Sequence, residues 1–156
     1  PVRGRMELAS ARPRVYVDYA HSPDSLERVL ATLRPLTPGR LVCVFGCGGD
    51  RDATKRPLMG AIAERGADRV IVTSDNPRSE DPAAIAAAIL AGMREPARAT
   101  VELDRAAAIR LALAAAGADD AILVAGKGHE TTQTIGERSE RFDDVAAVRA
   151  ALGGVS

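Results

Sequence analysis

Asp75-Asn76-Pro77-Arg78 follows directly on the apolar run Val70-Ile71-Val72-Thr73, where a chain leaving a sheet opens a pocket. A carboxylate, an amide and a guanidinium within one turn suit a zwitterion. The planar fork of Arg pairs bidentately with a carboxylate, and Asp accepts from an ammonium. The tetrapeptide therefore predicts recognition of something like an amino acid. Asp, Asn and Pro are also ordinary turn formers, so four residues alone leave open a Pro-containing turn with a solvated Arg.

Three other segments of similar chemistry also follow apolar runs: Asp18-Tyr19-Ala20-His21-Ser22-Pro23, Gly46-Cys47-Gly48-Gly49-Asp50-Arg51-Asp52 and Gly126-Lys127-Gly128-His129-Glu130. Ligands of open parallel sheets bind outside the carboxyl ends of the strands, so all four segments are expected to converge on one edge. The glycines of the second segment permit close backbone approach and φ > 0, and Arg51 offers a guanidinium to the same mouth. That segment is neither a G-x-G-x-x-G fingerprint nor a P-loop. Lys127 is either solvated or paired with Glu130. His21 and His129 suit a proton or hydrogen-bond role near neutral pH, or a polar contact at a helix N-terminus. With no nucleophile elbow and no cluster of metal-ligand spacing, no catalytic residue and no metal ligand is assigned.

The elements that must position these loops alternate. Val15 and Val17 mark a strand over Arg14 to Tyr19, and Ser22-Pro23 starts a helix carrying Leu26, Val29, Leu30 and Leu33. Leu41 to Phe45 is continuously apolar, as a parallel strand covered on both faces must be. Lys55 to Glu64 predicts a helix with Leu58, Met59, Ile62 and Ala63 buried, followed by the strand at Val70 and a helix capped by Asp81-Pro82. Thr100 to Leu103, Asp104 to Ala116 and Ala121 to Ala125 repeat strand, helix, strand. Thr131 to Ile135 comes too soon for a parallel crossover, so it is expected as an antiparallel edge strand before a last helix capped by Asp143. The prediction is a three-layer, Rossmann-like α/β fold: an open sheet of about six strands, mainly parallel with one antiparallel edge strand, and helices on both faces. Residues 1–12 read as a linker remnant, 13–153 as the domain, and 154–156 as a tail.

At 156 residues the chain is long enough for one domain with a sizeable core. Basic and acidic residues balance at 21 each, which gives a nucleic-acid or membrane partner no compositional support. Aromatic residues are 3% with no Trp, so the usual stacking platform for single strands is missing. No spanning segment or signal-peptide core is apparent, and the cytoplasm is the expected compartment. Cys43 and Cys47 then read as reduced thiols.

Taken together, Gly4-Arg5-Met6-Glu7, DYAHSP at Asp18 to Pro23, FGCGGDRD at Phe45 to Asp52, KRPLMG at Lys55 to Gly60, DNPR at Asp75 to Arg78 and AGKGHE at Ala125 to Glu130 resemble the C-terminal domain of the Mur ligases, in order over essentially the whole chain. DNPR is similar to the motif of the members that add meso-diaminopimelate. Such ligases use ATP and Mg²⁺ to activate the carboxylate of UDP-N-acetylmuramoyl-L-alanyl-D-glutamate, and the amine of the incoming amino acid then attacks the acyl phosphate. The resemblance implies that Arg51, Asp75, Asn76, Pro77, Arg78, Gly126 and Glu130 hold diaminopimelate and that Arg5, Asp18 and His21 lie near ATP. Two departures, Ser22 for the usual Thr and Arg3-Gly4 for the common Pro-Gly, do not touch the substrate grip. The family's P-loop, Mg²⁺ ligands, carbamylated lysine and UDP-binding domain have no counterpart among these residues, so the chain by itself is expected to be inactive. The alternative is a self-standing α/β binding module for a small zwitterion or nucleotide.

Overall fold

Two five-residue runs without a polar face, Leu41–Phe45 and Ala121–Ala125, form the fully buried centre of a sheet. The computed structural model describes residues 2–153. Its elements are β1 (Glu7–Ala11), β2 (Arg14–Asp18), α1 (Pro23–Leu33), β3 (Leu41–Phe45), α2 (Lys55–Gly66), β4 (Arg69–Val72), α3 (Pro82–Leu90), β5 (Thr100–Val101), α4 (Arg105–Ala115), β6 (Ala121–Ala125), β7 (Thr132–Ile135), β8 (Arg138–Arg141) and α5 (Asp144–Leu152). Six strands form one sheet in the order β1-β2-β6-β3-β4-β5. Within that sheet β1 pairs with β2 antiparallel, and every other neighbouring pair is parallel.

Alternate residues of the central strands feed two cores. Leu41, Cys43 and Phe45 pack with α1, α2 and α3, whereas Val42 and Val44 pack with α4 and α5. The result is the expected three-layer α/β sandwich. Because β6 inserts between β2 and β3, the chain leaves β3 toward α2 on one face and later reaches α5 on the other. A crevice opens between neighbouring strand ends at such a switch of direction.

Helix starts follow their side chains. Ser22 accepts from the backbone of Ser25 in a capping box, and Asp81, Asp104 and Asp143 accept from Ala83, Ala107 and Ala146. Each satisfies a donor that the first helical turn leaves orphaned.

The structure corrects three local expectations. Residues 7–11, expected as linker, form the antiparallel edge strand β1. Its apolar signal is weak because Leu8 faces solvent and only Ala9 is buried. With the outer edge of β2 occupied, Thr132–Ile135 does not join the sheet and pairs instead with β8 around Gly136-Glu137, where Gly136 supplies φ +61°. In α2, Leu58 is 55% exposed and Arg56 takes the buried position. The expected tail, residues 154–156, lies outside the described residues. No helix among the described residues is long and apolar enough to cross a membrane.

Helices α2 and α3 touch through Gly60, where an added Cβ meets the carbonyl oxygen of Ile89 at 2.0 Å. Gly→Ala in an exposed helix interior gains roughly 1 kcal/mol. Here the clash with backbone reverses the sign: Gly60→Ala is expected to lower the melting temperature, as read by calorimetry.

Candidate functional site

The carboxyl ends of β2, β3, β4 and β6 bring the four chemistry-bearing loops to one edge. Between β4 and β6 lies β3, which departs after Phe45, so the carbonyls of Ser74 and Ala125 extend beyond its ladder. Arg105 reaches them from α4, donating to Ser74 O at 2.9 Å and to Ala125 O at 3.1 Å. The same guanidinium pairs with both oxygens of Asp144 at 2.7 and 2.8 Å, and both side chains are fully buried. Burial disfavours its charge, but Asp144 more than compensates and the net shift strengthens the guanidinium's hold on its proton. Asp75 and Gly126, the next residues along these two loops, are thus positioned from beneath. The sequence hides this pair, since Arg105 looks like an ordinary first residue of an Ala-rich helix.

Asn76 ties the loops together from above. Its amide oxygen accepts from Thr134 N at 2.9 Å and from Lys127 Nζ at 3.1 Å, and its Nδ2 lies 3.4 Å from Glu130 Oε1. Its carbonyl accepts from Gly49 N at 2.8 Å. The β7–β8 hairpin is docked on the same stretch: Arg78 N donates to Thr134 O at 3.0 Å, Gly136 N to Arg78 O at 2.6 Å, and Gln133 Nε2 to Asp75 O at 2.9 Å. Pro77 is buried within this junction. An added Cβ on Gly49 meets its carbonyl at 1.8 Å, so only glycine permits the approach.

Arg78 holds φ +52° and donates from Nη1 to Gly49 O at 2.9 Å. Its Nε and Nη2 find no acceptor among the described residues and stay accessible. Gly48 separates it from Arg51: an added Cβ there stands 3.0 Å from Arg78 Nη1 and 3.7 Å from Arg51 Cγ. Arg51 spends one donor on Asp50 O at 2.9 Å, and among the described residues neither guanidinium has a carboxylate within ion-pair distance. Asp75 and Glu130 supply the opposite charge. Each directs one oxygen at Lys127 Nζ, at 3.5 and 3.6 Å, and keeps the other without a protein donor. The missing side chain of Gly126, at φ +117°, leaves the space beside Asp75 Oδ2 open. The site can thus accept a carboxylate and an ammonium at once.

The loop carrying Arg51 is clamped. Arg56, 4% exposed, grips Glu80 with two nitrogens at 3.0 and 2.7 Å and donates to Gly48 O at 3.0 Å. Asp50 N donates to Glu80 at 2.6 Å, and the Asp50 carboxylate accepts from the Ser79 hydroxyl at 2.6 Å. Hydrogen bonds from Arg56 and then from Asp50 pull the Glu80 carboxyl down to about 2.

The expected nucleotide-edge residues are also neighbours. Arg5 lies 4.9 Å over the Tyr19 ring, and the rings of His21 and His129 stand 4.3 and 6.4 Å from it. Asp18 differs from its neighbours in being 5% exposed and already occupied, with Oδ2 accepting from Met6 N at 2.8 Å and Oδ1 from Ala20 N at 2.7 Å. Its carboxylate fastens the residue beside Arg5. Cys43 and Cys47 are free, and burial pushes their thiols up to about 12 and about 11, which makes them poor nucleophiles. Among the described residues no group of three or more His, Cys, Asp or Glu could hold a metal ion.

A family profile described as Mur ligase, glutamate ligase domain, matches residues 4–128. The chain belongs to that family. The UDP-N-acetylmuramoyl-L-alanyl-D-glutamate–2,6-diaminopimelate ligase of Synechococcus elongatus is 57% identical over 154 residues, covering 97% of this chain and 31% of that protein. The ligase of the same name from Acidovorax sp. is 56% identical over 164 residues, covering 100% of this chain and 33% of its own length. A solved structure of such a ligase superposes with a TM-score of 0.92 at 45% identity, over 99% of this chain and 32% of that one. The Mycobacterium tuberculosis folylpolyglutamate synthase complexed with ADP and AMPPCP gives 0.63 at 28% identity over 81% of this chain and 30% of its own. The chain spans about a third of the length of these relatives.

Two outcomes follow for this Mur ligase domain. Arg105→Met strands a buried carboxylate and is expected to cost about 3–5 kcal/mol in urea unfolding, with part recovered by adding Asp144→Leu. Glu80 titrates at 4.5 when unfolded and about 2 when folded, so its contribution is complete above pH 4.5 and fades as pH falls toward 2. Between those limits the urea midpoint of Glu80→Gln is expected to fall less steeply with acid than that of the native protein.

Proposed function

We propose that this chain is the amino-acid-binding domain of an ATP-dependent ligase that forms an amide bond between meso-diaminopimelate and UDP-N-acetylmuramoyl-L-alanyl-D-glutamate in bacterial peptidoglycan synthesis. The observation that carries the proposal is the accessible guanidinium of Arg78, which nears the Arg51 side chain across Gly48 on the same sheet edge that presents the outward oxygens of Asp75 and Glu130. Diaminopimelate differs from lysine by a carboxylate on its distal carbon, and Arg78 is the natural partner for that group. The Asp75 and Glu130 carboxylates then accept the distal ammonium, Arg51 adds a second cation at the mouth, Gly126 leaves room, and Asn76 with Pro77 fixes the frame. The names of relatives at 56–57% identity support the same substrate.

On this reading Arg5 and His21, beside Tyr19, face the phosphates or base of ATP, with Asp18 holding the strand entry that presents Arg5. The residues suit a nucleotide: a cation, a ring and an imidazole share one exposed edge. ATP and Mg²⁺ would supply the phosphorylation of the precursor carboxylate. On this reading the phosphate loop and metal ligands belong to the central domain and UDP binding to the N-terminal domain of a full-length protein that acts in the cytoplasm; this domain alone is inactive. The relatives favour this reading over a self-standing receptor, which would bind its zwitterion tightly without further domains.

In the full-length protein, Arg78→Ala is expected to raise KM for diaminopimelate about a hundredfold or more, as loss of a buried charge partner does, while KM for ATP changes little and the protein stays folded. Unchanged use of diaminopimelate would sink the assignment of Arg78.

A further inference from the structure

Lys127 reaches into the crevice with a side chain that is fully buried. A buried ammonium is costly unless paired, yet its ion-pair distances are long: 3.5 Å to Asp75, 3.6 Å to Glu130, and 3.1 Å to the neutral amide oxygen of Asn76. Its three partners are three residues of the amino-acid grip. Two carboxylates within 3.6 Å of one ammonium lose their shared counter-ion when that ammonium is removed, and like charges so placed disfavour each other's ionisation.

We propose that Lys127 is a positioning and specificity-determining residue of the grip, the internal counter-ion that keeps Asp75 and Glu130 ionised together so that their outward oxygens receive the ligand's distal ammonium. The inference rests on the diaminopimelate reading. Three groups with one positive and two negative charges leave a single net negative charge for one incoming ammonium. Without Lys127 the two like charges favour protonation of one carboxylate, and the ligand must displace that proton.

The other groups facing the pair do not replace Lys127. Arg78 and Arg51 at the mouth spend one nitrogen each on Gly49 O and Asp50 O and offer their remaining donors to the ligand's carboxylate. Arg105 of α4 acts on both carboxylates, but its charge is already spent on Asp144 of α5. Cys47, after β3, feels Asp75 and stays a neutral thiol because burial pushes it to about 11. The hairpin contributes only the neutral Gln133 and Thr134.

The test is the pH profile of KM for diaminopimelate in the full-length protein carrying Lys127→Gln, which preserves a donor to Asn76 and removes the charge. The ratio of variant to native KM is expected to climb as pH falls from 8 to 6, by up to about tenfold per pH unit for one displaced proton, with KM for ATP unaffected. In Lys127→Gln/Glu130→Gln the ratio is expected to be flat, because one carboxylate has no neighbour to share a proton with. A flat ratio in the single variant overturns the proposal. If Lys127→Gln does not fold, adding Glu130→Gln is expected to restore a cooperative melting transition, and failure to restore it overturns the proposal equally. A native protein whose ATP consumption does not depend on diaminopimelate would instead overturn the substrate reading.

Discussion

The proposed grip depends on a guanidinium held where β3 abandons its neighbours. Past Phe45 the sheet ladder can no longer satisfy the carbonyls of Ser74 and Ala125, and unpaired carbonyls in a closed interior are costly. Arg105 resolves this with two donors and uses the others on Asp144. A buried ion pair is a weak source of net stability, and apolar residues could pack the same space. What only the fork can do is hold two strand ends at a fixed separation across a third, and Asp75 and Gly126 are the next residues on those strands.

Above that foundation, the loops are over-determined. Asp50 and Arg78 both adopt positive φ, at +56° and +52°, a conformation that costs non-glycine residues of order 1–3 kcal/mol each. The bonds from Glu80 and Ser79 to Asp50, and from Thr134 and Gly136 to Arg78, keep them there. Holding donors in place before the ligand arrives removes ordering cost from binding. Gly48 and Gly49 serve the same end by letting the Arg51 loop lie directly on the 76–78 turn.

Most of the frame was legible in the sequence because burial on both faces writes itself as unbroken apolar runs, as in Leu41–Phe45 and Ala121–Ala125. The capping residues Ser22, Asp81 and Asp143 were legible for a related reason: their oxygens bond locally. What escaped was non-local. Residues 7–11 form a strand only because β2 offers an edge, and their own pattern, one buried Ala and an exposed Leu, carries little signal. Thr132–Ile135 alternates as a strand should, but its partner β8 is exposed throughout and gives no hydrophobic cue. Arg105, Asp144 and Arg56 are charges whose burial no period reveals. Lys127 could be read equally as solvated or paired until Asp75, 52 residues away, was seen beside it. That Arg51, Arg78 and Glu130 stand on one edge was legible from their position after strands, which is where chemistry collects in this architecture.

The account turns on whether the free face of Arg78 is matched to a distal carboxylate. The most direct measurement is kcat/KM of the full-length protein for meso-diaminopimelate and for lysine, compared under identical ATP and precursor concentrations. A partnerless guanidinium in the lysine complex predicts a preference for diaminopimelate of roughly a thousandfold or more. Comparable values for the two amino acids, or a preference for lysine, would contradict it.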